Sequence, residues 1–167
     1  MSNFFISDTH FAHKRVIEFG YRPFKDLEHM HIELFKRWNA KVKAEDTVYI
    51  IGDFNFGGVG QRNKLFKKLN GNKVLIKGNH DSTGLLLGGY VEIGKKGWEV
   101  VHNPDDSSAS RVIHGHIHLP IATRVKRQKN GRLFVNVNCE LWDYEPVSVK
   151  QILKEVEKEK NDNRKEV

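Results

Sequence analysis

Apolar residues along this chain follow two rhythms. Short runs rich in β-branched and aromatic residues, at positions 3–7, 47–51 and 73–76, read as buried strands that close on polar or glycine residues. Between the first two runs, Leu27, Met30, Leu34, Phe35, Trp38 and Val42 recur at helical spacing behind Asp26, which predicts a helix capped by that aspartate. Gly57-Gly58 predicts a loop, and positions 63–69 a short basic helix. Later strands are predicted at 90–93, 98–102 and 111–114, with a hairpin from 122–126 and 133–137 around Asn130-Gly131. A closing helix is predicted over 148–160, fraying into a charged end. Strand–helix alternation followed by closely spaced strands predicts an α/β layered fold with two sheets packed together.

Length and composition narrow this picture. The 167 residues suit one domain, expected over 1–153, with 154–167 as a charged helix end or tail. No stretch approaches the roughly 20 apolar residues of a membrane span. The opening Met1-Ser2-Asn3-Phe4-Phe5-Ile6 lacks the basic start and long apolar core of a signal peptide, so a cytoplasmic protein is expected, monomeric or weakly self-associating. Cys139 is the single cysteine, which excludes an internal disulfide and a zinc site built from several thiolates. The net charge of +7 is unevenly placed. Positions 54–80 hold six Lys or Arg and no acid, and 107–139 hold six more, five of them between Arg124 and Arg132. Such basic segments suit a polyanion, a nucleotide or nucleic acid, though they equally suit a solvated surface with no partner.

Chemistry concentrates after the strands. Five polar motifs follow five predicted strands: Asp8-Thr9-His10, Gly52-Asp53, Gly78-Asn79-His80-Asp81, His102, and Gly115-His116-Ile117-His118. Alone, each has a plain reading as a cap, a turn or a structural histidine. Together they offer carboxylate, imidazole and amide oxygen donors, a set suited to divalent manganese, iron, nickel or zinc. Carboxyl ends of strands in α/β sheets are where sites assemble, so the five are expected to converge. Asp-x-His and His-x-His would place two donors on one side of an extended segment. One carboxylate, Asp53, is suited to bridge two ions about 3.5–4 Å apart.

In this order the motifs resemble the calcineurin-like metallophosphoesterase superfamily. The Ser7-Asp8-Thr9-His10-Phe11-Ala12-His13 opening, Arg22-Pro23-Phe24, and Asn136-Val137-Asn138-Cys139-Glu140 ahead of Tyr144-Glu145-Pro146-Val147-Ser148 are similar to its small single-domain bacterial and phage branch. The resemblance implies a four-layer αββα sandwich of two mixed β-sheets flanked by helices. It implies two divalent metal ions, manganese first, with iron, nickel, zinc or magnesium as alternatives. Asp8, His10, Asp53 and His118 would hold one ion, and Asp53, Asn79, His102 and His116 the other. His80 would face substrate beside Asn79 as general acid or phosphate donor, with Asp81 orienting its ring and Asp53 completing the catalytic set.

The implied activity is phosphoester hydrolysis by a hydroxide held between the metals. A phosphodiesterase on a nucleotide or RNA-like substrate comes first, a phosphomonoesterase on a small metabolite second. A metal-stabilised nucleic-acid-binding module without turnover is the reading from another class. The second motif continues Phe54-Asn55-Phe56-Gly57, without the arginine of the protein phosphatases of this superfamily, which argues against that substrate. His13 and Arg22 are further candidates for touching the phosphate, His13 equally suiting a plain surface role and Arg22 suiting a structural role somewhat better beside the turn of Pro23-Phe24. Glu140 is a candidate brace, Asn55 a pocket or turn residue, and His29, His31, His114 and the three tryptophans are expected to be structural.

Overall fold

Alternation within the first strands decides the layering. In the computed structural model, which describes residues 1–81 and 86–163, strand β1 (Asn3–Ile6) turns Phe4 and Ile6 into one core and Phe5 into another. Strand β2 (Thr47–Ile51) repeats this, with Val48 and Ile50 on one side and Ile51 on the other. A strand buried on both faces belongs inside a layered sandwich. Helix α1 (Val16–Phe19), helix α2 (Leu27–Lys41) and helix α3 (Val59–Phe66) fill the first core with Val16, with Met30, Leu34 and Trp38, and with Leu65. The Asp26 side chain accepts the His29 N–H at 2.8 Å, the cap expected from sequence, a contact typically worth about 1 kcal/mol.

Strand β3 (Asn72–Ile76) pairs in parallel with β2. The second sheet uses β4 (Gly88–Ile93), β5 (Lys96–Val101), β6 (Arg111–His114), β7 (Val125–Arg127) and β8 (Leu133–Asn136). Strand β9 (Val147–Ser148) and helix α4 (Val149–Asn163) close the chain. The sheets run β3-β2-β1-β9 and β4-β5-β6-β8-β7, each mixing parallel and antiparallel pairs. Between them lies the second core, which includes Phe5, Ile76, Trp98, Ile113, Val135 and, from α4, Ile152. This is the α/β arrangement of two mixed sheets with helices that the sequence led us to expect. On the far side of the five-stranded sheet, Val101, Val112 and Phe134 form a smaller cluster.

Several boundaries move. Helix α3 begins four residues earlier than the basic stretch suggested, because Gly58 serves as its N-cap and accepts from the Gln61 and Arg62 N–H groups. Residues 67–69 continue it only as turns. Helix α4 continues to Asn163, tied by Glu155 to Arg124 at 3.3 Å and by Glu159 to Arg127 at 3.0 Å, so the charged end is helical that far. The last four residues of the expected tail, 164–167, lie outside the described residues. Among the described residues no helix is long and apolar enough to cross a membrane.

Candidate metal centre

All five polar motifs lie just past strand ends that emerge at one edge of the sandwich. Asp8 and His10 follow β1, Asp53 follows β2, Asn79 follows β3, His102 follows β5, and His116 and His118 follow β6. The strands that carry the motifs run parallel within each sheet, so their carboxyl ends point the same way. Ser7 stitches the two sheets together beneath the motifs, donating to the Val137 carbonyl at 3.0 Å and accepting from the Cys139 N–H at 3.1 Å.

The side chains form two touching clusters. In the first, Asp8 Oδ1 lies 3.5 Å from His118 Nε2 and 3.9 Å from His10 Nε2. In the second, His102 Nε2 lies 3.0 Å from Asn79 Oδ1, and His116 Nδ1 lies 3.2 Å from that oxygen and 3.3 Å from His102 Nε2. Asp53 Oδ2 joins them, 3.6 Å from His10 Nε2 and 3.4 Å from His102 Nε2. Spacings of this size are those of donors facing a common cation. Asp8, His10 and His118 form one group able to hold a metal, and Asp8, Asp53 and His102 another. The chemistry fits a cation in a further way. His10 Nε2 is buried without a hydrogen-bond partner although it faces two carboxylates, an arrangement normally avoided unless an ion accepts the lone pair.

Neighbouring groups fix how each imidazole points. His102 donates its Nδ1 proton to the Ile51 carbonyl at 3.0 Å, leaving Nε2 for the centre. His118 donates Nδ1 to Glu140 at 2.8 Å, the carboxylate–histidine pairing that orients metal ligands. His10 Nδ1 meets His13 Nδ1 at 3.3 Å. From helix α2, His31 Nε2 accepts the Ala12 N–H at 2.9 Å and steadies the first motif's loop, a role that periodicity on a helix face did not announce. Gly78 and Gly115 lie against the carboxylates. A Cβ on either would come within 2.1 Å of Asp53 Oδ1 or 2.4 Å of Asp8 Oδ2.

Two expectations need correction. Arg22 does not reach toward substrate. Its guanidinium is fully buried, paired with Glu140 at 2.9 Å and donating to the carbonyls of Thr9 at 3.0 Å and Asp8 at 2.6 Å. It braces the first motif from beneath. Asp81 does not orient the His80 ring either. Its carboxylate turns inward and accepts the N–H groups of Asp53 at 2.7 Å, Gly78 at 2.9 Å and Phe54 at 3.1 Å, shaping the Asp53 turn. Burial, reinforced by the charge of Asp53, raises the Asp81 pKa despite those bonds. His80 instead donates its backbone N–H to Asp53 Oδ1 at 2.9 Å and leaves its ring 40% exposed at the mouth of the centre, with Nε2 3.9 Å from Asp53 Oδ2.

The donor-bearing turns are not extended. Asp8, His10, Asp53 and His116 have φ of 55°, 49°, 50° and 71°, so period-two alternation is not what brings Asp8 and His10 together. Left-handed backbone on residues other than glycine is strained, and it concentrates here as it does at functional sites.

Electrostatics without a cation are tense. Burial opposes charge on His102, yet its bond to Asp53 and the charges of Asp8 and Asp53 push its pKa up to about 9. His118 is likewise disfavoured by burial but raised to about 9 by Asp8 and Glu140. Burial wins at His10, held down to about 3 against the pull of Asp8. Burial would raise Asp8, but the surrounding imidazoles hold its carboxyl far below the usual range. The centre therefore keeps protons on two imidazoles that a metal would displace.

Elsewhere three arginines of the 107–139 segment are engaged within the chain. Arg124 and Arg127 pair with α4, and Arg132 donates to the carbonyls of Ala109 at 2.9 Å and Ser107 at 2.6 Å. Cys139 is buried, donates to the Asp8 carbonyl, and has its pKa raised by burial to about 12, so it is an inert wall. Asn55 makes a turn through Gly57. His114 is buried and donates to the Gly115 carbonyl at 2.8 Å, and Trp38, Trp98 and Trp142 are all core.

A family model described as calcineurin-like phosphoesterase matches residues 1–162. The chain is 36% identical over 163 residues to the uncharacterized protein MJ1445 of Methanocaldococcus jannaschii, covering 94% of this chain and 92% of that protein. It is 41% identical over 85 residues to the gene 66 protein of Mycobacterium phage L5, covering 48% of this chain and 41% of the phage protein. Among solved structures, the protein of unknown function AQ665 from Aquifex aeolicus superposes with a TM-score of 0.69 at 25% identity, covering 92% of this chain and 98% of that one.

Proposed function

Because this chain belongs to the calcineurin-like phosphoesterase family and is a metal-dependent phosphoester hydrolase, we propose that it is a dinuclear phosphodiesterase acting on a nucleotide or RNA-like diester. One ion would be held by Asp8, His10, Asp53 and His118, and the other by Asp53, Asn79, His102 and His116. The observation that carries the dinuclear reading is the single oxygen Asp53 Oδ2, within reach of both His10 Nε2 and His102 Nε2. When bound, the ions supply Lewis-acid neutralisation of phosphate oxygens and acidify the attacking water. Manganese is the first assignment, with iron, nickel, zinc and magnesium as alternatives.

The chain's own groups do the rest. Glu140 and the Ile51 carbonyl hold the His118 and His102 rings in the tautomers that present Nε2. His80, exposed and anchored through its backbone to Asp53, is placed to give a proton to the departing oxygen. His13 stands at the rim behind His10, close enough to meet substrate.

A diester is favoured by the shape around the centre. On the His10–His118 side stand the rings of Phe19, Phe56 and His13. On the His102–His116 side a groove of about 540 Å³ runs past Lys77, Asn79, Leu87 and Asn103. Two flanks suit the two substituents of a diester. Arg22, a guanidinium suited to gripping a dianionic monoester, is engaged elsewhere. The second reading, a phosphomonoesterase, rests on Lys77, a residue lining the groove whose charge would neutralise the extra one. A binding module without turnover draws less from the 124–132 stretch than its charge suggests, because Arg124, Arg127 and Arg132 have intramolecular partners.

The deciding experiment compares bis(4-nitrophenyl) phosphate with 4-nitrophenyl phosphate, using manganese-loaded and chelated protein. Faster turnover of the diester, lost on chelation, is expected. A monoester preference of about a hundredfold or more would replace the first reading with the second.

A further inference from the structure

Two large apolar side chains stand exposed at the mouth of the metal centre. Phe19 is 46% exposed and Phe56 54% exposed, although burying an aromatic ring is ordinarily favourable. Neither is loosely placed. Phe56 is pinned through its backbone N–H to the Phe11 carbonyl at 2.8 Å, and Phe19 ends helix α1. Between them lies His13, whose ring stacks on Phe56 with centroids 4.3 Å apart and planes 17° apart and sits 5.6 Å from Phe19. The rim is continuous with the reacting groups: Phe56 is 5.6 Å from the His80 ring, and Phe19 is 5.5 Å from His118.

From this arrangement we infer that Phe19, Phe56 and His13 form a stacking platform for a nucleobase on the substituent of the phosphate nearest His80. The inference rests on the hydrolase reading and adds to it the residues that would take the base. Apolar, polarisable rings suit the face of a base, with Phe56 and His13 nearly parallel and Phe19 tilted 58° to His13 as a side wall, and two phenylalanines lack donors or acceptors to read its edge. The platform is therefore expected to accept purines and pyrimidines alike, with purines favoured by their larger stacking area. Placed beside His80, it also orients the ester oxygen that this imidazole addresses. A surface built to shed a simple alkyl phosphate would have no use for two exposed rings at this edge.

The test is binding to manganese-loaded protein, read by calorimetry, of adenosine 5′-monophosphate against ribose 5-phosphate. These share the phosphate and sugar and differ in the base. Tighter binding of the nucleotide is expected, and Phe56→Ala and Phe19→Ala should each remove roughly five- to 150-fold of its affinity. Affinity for ribose 5-phosphate, affinity for manganese and the melting temperature should stay near wild type. Phe56→Trp should restore nucleotide binding. Equal wild-type affinity for the two ligands would overturn the platform, as would variants that weaken both ligands or the metal alike. The failures are separable. Turnover of bis(4-nitrophenyl) phosphate without base preference sinks the platform and leaves the hydrolase, whereas base-dependent binding without turnover of any ester does the reverse.

Discussion

Glu140 offers the sharpest test of how the centre is held. Its Oε1 accepts from His118 Nδ1 at 2.8 Å, Arg22 Nε at 3.0 Å and Arg22 Nη2 at 2.9 Å, and both acidic and guanidinium side chains have no solvent exposure. Glu140→Ala would strand a buried guanidinium on the Thr9 and Asp8 carbonyls. Breaking one side of a buried pair typically costs about 3–5 kcal/mol. For a domain of this size each kcal/mol is worth about 2–4 °C, so the metal-free variant should melt roughly 6–20 °C lower. Loss of the carboxylate behind His118 should separately weaken manganese binding by about 10- to 100-fold. A double variant, Arg22→Met with Glu140→Leu, removes both charges together and should recover much of the melting temperature, yet not the metal affinity. Thermal melts of chelated protein and manganese titrations read the two effects apart. If Glu140→Ala melted within about 2 °C of wild type, or the double variant melted as low as the single one, the reasoning about this pair would be refuted.

Other expectations follow from the same geometry. Asp53→Asn should lose both ions on dialysis, whereas His80→Ala should keep both and lose roughly 100- to 10,000-fold in turnover; metal analysis beside kinetics decides. Asp81→Asn should lower metal affinity and stability by disturbing the Asp53 turn, and leave the midpoints of the pH–rate profile in place. A shifted midpoint with intact metal binding would return Asp81 to the role expected from sequence. His102 and His118 are raised to about 9 without metal, so at pH 7 they hold protons that manganese must displace. Manganese affinity should therefore rise with pH between about 6 and 9, with protons released on binding. Calorimetry in buffers of different ionisation enthalpy measures this, and no proton release at pH 7 would contradict it.

What the sequence made legible was local. Continuous apolar runs such as Phe4-Phe5-Ile6 and Val48-Tyr49-Ile50-Ile51 announce strands buried on both faces, and the polar motif after each strand marks the edge where donors gather. Partnership across the fold was not legible. Arg22 and Glu140 are 118 positions apart, and nothing local to either says that a guanidinium will be buried against that carboxylate. The resemblance implied that Asp81 orients the neighbouring His80 ring, but the turn after β3 sends its carboxylate inward to three backbone N–H groups while His80 stays exposed. Helix α1 is four residues long and β9 two, too short for periodicity to register. His31 shows no mark of its contact with Ala12, because helical spacing reports which face a residue occupies and not which loop will lie across it.

The same long-range contacts explain how strained turns persist at the centre. Each donor turn with positive φ stores free energy, on the order of 1 kcal/mol or more, that the surroundings must offset. Asp8 accepts the His116 N–H at 3.1 Å, linking the end of β1 to the turn after β6, and so joins the two sheets through a side chain that also faces the metal position. Asp53 accepts the His80 N–H and is itself shaped by Asp81, linking the turns after β2 and β3. The donors are thus the joints of the sandwich edge as well as its chemistry. Bringing Asp8, Asp53 and four imidazoles together requires the folded edge, so a cation gripping them binds the folded state far better than the unfolded one. Its binding free energy becomes folding free energy, about 4 kcal/mol when the free ion stands a thousandfold above its dissociation constant. A centre built this way couples catalytic competence to sandwich integrity: a substitution that loosens the Ser7 stitch beneath it should disturb the metal before it disturbs either sheet.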